Sequence, residues 1–253
     1  MELYIEKLQE IKNIPVLNQK ALHYVFEQGL VFENDEKDDL WLEFGTYDGR
    51  SINPIAMYTD KIVHGFDSFS GLPEDWVGRG QTKGTFDLGG DDPNFLFRGI
   101  PFDLEGLKVC PNVNFIKGWF DDTLPKFMEE NNKPISFIHL DSDIYSSAKC
   151  VFENTVKNIK NGCIIVFDEL LSYPAFEIHE WKAWWEFVEK YDIEFEWIGG
   201  NVGGVDIPSN VTPKFAENAP LTPYQIIEGH WGISPSQENV AVRILKNPYF
   251  AFT

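Results

Sequence analysis

A chain of 253 residues, 43% hydrophobic and 15% aromatic with 8 Trp and 21 Phe, can bury a substantial core as one domain and falls outside the disordered classes. Its 40 acidic residues against 21 Lys and Arg give a formal net charge of −19, which repels phosphate backbones and argues against nucleic acid or anionic membrane as partners. No run approaches the ~20 apolar residues of a membrane span, and the N-terminus "MELYIEKLQEIKNIPVLNQ" lacks the features of a secretory signal, so a cytoplasmic location is expected.

Residues 1–35 read as an N-terminal helical extension, with apolar helical spacing over 17–31. "DLWLEFG" (39–45) and "KIVHGFD" (61–67) read as strands that bracket a helix over 49–58. Residues 71–100 form a long glycine-rich connection, expected to be a lid. Its cations Arg79, Lys83 and Arg98 are candidates to meet a phosphate or carboxylate, although each also reads as a solvated charge. Further strands follow in "VNFIKG" (113–118), "ISFIHLD" (135–141) and "GCIIVFD" (162–168), with helices over 121–131 and 144–160 between them.

A helix over 175–190 carries Trp181, Trp184, Trp185 and Val188 on one stripe, which reads as core or as a subunit contact that would make a homodimer. "IEFEWIG" (193–199) and "NVAVRIL" (239–245) complete the strands, and the Gly- and Pro-rich stretch 200–236 reads as a substrate or dimer insertion. Cys110, Cys150 and Cys163 read as buried thiols. Short apolar strands alternating with helices predict an α/β fold: one doubly wound, seven-stranded, mostly parallel sheet in a single domain over 1–253.

In such a sheet ligands bind beyond the carboxyl ends of the strands. Gly45 and Gly49 stand at the end of the first strand, where glycines let the backbone approach a ligand and open the next helix. Their spacing is not the G-x-G-x-x-G of dinucleotide binders. Asp67 ends the second strand, 22 residues after Gly45, where a carboxylate can accept hydrogen bonds from ribose hydroxyls. Asp141, Asp168 and Glu169 close two further strands. If those strands are neighbours their ends lie about 5 Å apart, within reach of one hard divalent cation. Asp143 reads as an outer partner of that cation or a base. His139, on the same strand face as Asp141, reads as a core histidine or a base.

"LEFGTYDGRSI", "GFDSFSGLPEDW", "KGWFDDTLP", "IHLDSDIYSSAK" and "CIIVFDE" occur in the order seen in the macrocin O-methyltransferase family, which this chain resembles over about 39–190 and in the last strand, "ENVAVRI". The resemblance implies a Rossmann-like class I methyltransferase that uses S-adenosylmethionine and acts on a hydroxyl of a small molecule, a sugar or sugar-bearing natural product. It implies that Glu43, Gly45 and Ser51, with Thr46 and Tyr47 in the same turn, surround the methionine part of the cofactor. Asp67 and Ser68 would meet the ribose, and Gly118, Trp119 and Phe120 the adenine, with Asp141 bordering the cofactor. A magnesium-like ion (Mg2+) would sit at Asp141, Asp168 and Glu169, and the acceptor proton would pass to Asp141, Asp143 or His139. The chain departs from the family where Asp168-Glu169-Leu170 replaces two aspartates and a tyrosine, and over 200–236. A nucleotide-binding oxidoreductase and a non-catalytic cofactor-binding protein are the rival readings.

Overall fold

The computed structural model describes residues 4–88, 109–201 and 238–252. Strands β1 (Leu40–Phe44), β2 (Val63–Asp67), β3 (Val113–Lys117), β4 (Ile135–Leu140), β5 (Ile159–Phe167), β6 (Glu194–Gly200) and β7 (Val240–Lys246) form one sheet in the order β3-β2-β1-β4-β5-β7-β6. β7 runs antiparallel to both its neighbours, and the other pairings are parallel. The expected doubly wound sheet is therefore present, with one reversed strand.

Burial follows position. β1 and β4, at the centre, are buried at every residue, whereas edge strand β3 is only partly covered. Side chains alternate between two cores. Leu40, Leu42 and Phe44 face the layer of helices α3 (Phe120–Glu130), α4 (Tyr145–Thr155) and α5 (Glu180–Tyr191), while Trp41 faces α1 (Ala21–Glu27) and α2 (Ile52–Ala56). The tryptophan stripe belongs to the first of these cores: Trp181, Trp184 and Trp185 are buried, and Trp184 packs on Phe152, Phe167 and Phe195. The three cysteines are free, Cys163 buried and the other two partly so. Among the described residues no helix is long and apolar enough to cross a membrane.

The element bounds differ from the apolar patterns where tertiary pairing intervenes. The first helix begins at Ala21 and not at 17, because Val16 bridges Gly200 and the Leu17 N–H donates to its carbonyl at 2.8 Å. Ahead of it lies a 3-10 helix, Ile5–Asn13, whose Leu8 and Ile11 are buried together with Ile14 just beyond it. That three-residue spacing fits a 3-10 stripe and not an α-helical one. β5 begins three residues early. Its register with β4 shifts between Ile135 and Phe137, and Gly162 at φ 87° sits in the irregular part.

The turn after β1 has room for one residue type only. Gly45 lies at φ 86°, and a Cβ there would stand 1.8 Å from the Asp141 carbonyl oxygen. Gly45→Ala is expected to lose about 1–3 kcal/mol from the left-handed backbone alone, with the collision adding to it. Denaturant unfolding would read the loss, and wild-type stability would contradict this packing.

Candidate active site

Two loops meet over the carboxyl ends of β1 and β2, and Asp67 joins them. Its Oδ2 accepts from the Tyr47 N–H at 2.7 Å and its Oδ1 from the Phe69 N–H at 2.6 Å. Tyr47 and Phe69 are left-handed, at φ 45° and 53°. A carboxylate holding two backbone amides stabilises conformations that non-glycine residues otherwise avoid. Burial raises the Asp67 pKa, and these backbone N–H groups act against that rise.

Beside this turn opens a cavity of about 780 Å³, within the roughly 300–1,000 Å³ of small-molecule sites. Of the residues expected around the cofactor, Gly45, Thr46, Tyr47, Ser51, Asp67, Ser68, Trp119, Phe120 and Asp141 line it. Glu43, His139 and Gly118 are not among its lining residues. Lys20, Arg50, Trp76 and Phe86 also line it; Arg50 and Trp76 lie within the quoted motifs but had no expected role, and Lys20 and Phe86 lie outside them. Arg50 is held by Asp48 at 2.9 Å and lies over the Tyr47 ring, while Lys83 stands exposed on the wall.

The expected lid is described as far as Leu88, and its remainder, with Arg98, lies outside the described residues. The described part is fastened. His179 Nε2 lies 2.9 Å from the Val77 carbonyl, and a Cβ on Gly78 would stand 1.9 Å from that of Pro174. Arg79 lies against both the Trp76 and Tyr173 rings and pairs with Glu238, so it pins this segment and does not line the cavity. Of the stretch 200–236, all beyond Asn201 likewise lies outside the described residues.

Also at the cavity wall, β4 and β5 finish side by side, with the Asp168 N–H donating to the Leu140 carbonyl at 2.9 Å. Carboxylate oxygens of Asp141, Asp143 and Glu169 converge to within 4.8 Å of one another. The sequence pointed to Asp168 in place of Asp143. Asp168 and Glu169 both line the cavity, but the converging group takes its third oxygen from Glu169. Asp168 faces Lys20 at 3.6 Å, while Asp143 adopts φ 64° two residues after Asp141 and its carboxylate completes the trio. Burial first, then repulsion by Asp168 for Asp141 and by Asp141 for Asp143 and Glu169, pushes the three carboxyls well above the usual range. Glu169 Oε2 is buried without a hydrogen-bond partner. An all-oxygen donor set with an orphaned buried oxygen fits a hard divalent cation.

His139 does not stand where a base would. β1 and β4 place Glu43 and His139 opposite each other, and their side chains meet at 2.7 Å, both essentially inaccessible. Burial pushes the imidazole down, but the hydrogen bond and charge of Glu43 outweigh it and raise it to about 9. It therefore holds its proton at neutral pH, away from the cavity wall. Glu43→Gln would leave that buried cation unpaired. A loss of about 3–5 kcal/mol in unfolding free energy is expected, and an unchanged denaturation midpoint would contradict the pair.

A sheet wound in this order, with a reversed seventh strand and a ligand-sized cavity at the carboxyl ends, has the Rossmann-like class I methyltransferase architecture. The Macrocin-O-methyltransferase (TylF) family model matches residues 50–196, more than half of the chain. The chain belongs to that family and is an O-methyltransferase. Among solved structures it is similar to CalS11, a calicheamicin methyltransferase, with 20% identity, 76% of each chain covered and a TM-score of 0.52. It is also similar to the O-methyltransferase NovP, with 18% identity, 89% of this chain and 79% of that chain covered and a TM-score of 0.51. At these identities the likeness is one of fold. No curated protein gives a significant match.

Proposed function

We propose that this enzyme transfers the methyl group of S-adenosylmethionine to a hydroxyl of a sugar or sugar-bearing small molecule, with a divalent cation at the acceptor end. The observation that carries this reading is one cavity lined both by the Asp67-held turn and by three converging carboxylates. Membership of the macrocin O-methyltransferase family supports the sugar.

When bound, the donor supplies a methyl on a sulfonium and the cation supplies Lewis acidity toward the acceptor oxygens. The chain's own groups do the rest. Asp67 keeps lone pairs that would meet the ribose hydroxyls, Gly45, Thr46, Tyr47 and Ser51 would surround the methionine part, and Trp119 and Phe120 would flank the adenine. Asp141, Asp143 and Glu169 would supply the oxygens for the cation. Asp168, next to Glu169 and opposite Lys20, borders the same end. The acceptor's hydroxyl proton would pass to one of the acids that line the cavity, Asp143 among them.

Equilibrium dialysis with radiolabelled S-adenosylmethionine and, separately, NAD tests the donor. Retention of the first and not the second is expected. Retention of NAD alone would turn the reading toward an oxidoreductase.

A further inference from the structure

Glu180 is fully buried at the start of α5, and its Oε1 accepts two hydrogen bonds from one residue: the Ser142 N–H at 3.1 Å and the Ser142 Oγ–H at 3.0 Å. Its Oε2 has no hydrogen-bond partner. Ser142 stands between Asp141 and Asp143, and the turn it centres is gripped from two sides. On one side Gly45 packs on the Asp141 carbonyl so closely that no Cβ fits. On the other stands Glu180, whose helix is tied to α4 again where the Tyr145 hydroxyl donates to Glu186 at 2.7 Å.

Packing alone does not account for a hydrogen-bonding side chain here. Glu180 is buried with one oxygen unpartnered, and its charge lies close enough to Asp141, Asp143 and Glu169 to raise the pKa of each, a cost an apolar residue would avoid and that the two bonds to Ser142 offset. Asp143 also needs holding, since at φ 64° it sits in the left-handed region, which a non-glycine residue keeps only where its surroundings fix it.

We infer that Glu180 is a positioning residue for methyl transfer. Through Ser142 it fixes the turn that brings the Asp141 and Asp143 carboxylates together with that of Glu169. The inference rests on the proposed role of these three acids at the acceptor end, and none of the motifs includes Glu180.

The test compares wild type, E180Q, E180A and S142A by three readouts: Mn2+ titration of metal-stripped protein followed by electron paramagnetic resonance, steady-state kinetics, and hydrogen exchange at the Ser142 amide. E180A is expected to bind Mn2+ roughly 10–100-fold more weakly and to lose roughly 100-fold in kcat. The KM for S-adenosylmethionine should stay unchanged, and the Ser142 amide should lose protection. E180Q, whose amide oxygen still accepts from Ser142, should restore most of each. S142A, which removes one of the two bonds with little risk to folding, should change in the same direction by less.

Wild-type kcat and Ser142 protection in E180A would overturn the inference. So would equal losses in E180Q and E180A, which would make the charge and not the grip decisive. A fall in donor binding that tracks melting temperature would also overturn it, as a purely structural role. If wild type binds no Mn2+ the cation reading fails by itself, and exchange at Ser142 still decides the role of Glu180.

Discussion

Chelation with EDTA is expected to abolish methyl transfer while leaving S-adenosylmethionine binding nearly intact. The three carboxylates that would hold the cation lie at the ends of β4 and β5, whereas the turn that would hold the donor hangs on Asp67 at the end of β2. Losing a cation that stabilises a developing alkoxide removes several kcal/mol, a fall of roughly a thousandfold or more in kcat. Asp141→Asn should act in the same direction without unfolding the chain. Full turnover of a metal-stripped enzyme, verified by elemental analysis, would show that these acids serve as bases or turn caps.

The same cluster gives the metal-stripped protein a pH dependence of definite sign. Asp141, Asp143 and Glu169 have folded-state carboxyl pKa values above their unfolded ones, so the native state keeps protons that the unfolded state has released. Stability is then greatest while the unfolded carboxyls are still protonated and falls as the pH rises toward the folded values. The stripped protein should melt lower at about pH 8 than at about pH 5, and Mg2+ should reverse the loss. A melting temperature that rises over that range without metal would contradict the burial of these acids.

The second large effect concerns the donor. Asp67→Ala is expected to weaken S-adenosylmethionine binding by about 1.5–3 kcal/mol, the range for hydrogen bonds to a charged group, or roughly 10–100-fold in Kd. The side chain acts twice, accepting from Tyr47 and Phe69 to shape the loops while lining the cavity. Calorimetry on a variant with a native melt decides it, and unchanged affinity would remove Asp67 from the donor site.

Much of this arrangement was legible in the sequence because it depends on local signals. Apolar runs mark all seven strands, the glycines after β1 mark a close approach, and acids at strand ends mark the ligand edge. What was hidden depends on register and on single backbone angles. That His139 meets Glu43 follows from β1 lying beside β4, a neighbour relation the order along the chain does not reveal. Asp143 joins Asp141 and Glu169 in a turn that runs through a left-handed angle, and Asp168 faces a lysine from the N-terminal segment. Glu180 lies beside Trp181 in a stripe dominated by tryptophan, so its neighbours in sequence point to core and not to a site.

The methyl group itself offers the most direct test. S-adenosylmethionine with an isotopically labelled methyl would be incubated with enzyme, Mg2+ and a panel of sugars, nucleotide sugars, glycosides and catechols. Products would be resolved by mass spectrometry and the labelled position assigned by magnetic resonance. The account predicts label on an oxygen of a sugar-bearing acceptor, lost when Asp143 is changed to Asn. Label that stays on a bound donor across the whole panel, or appears on carbon or nitrogen, would contradict it.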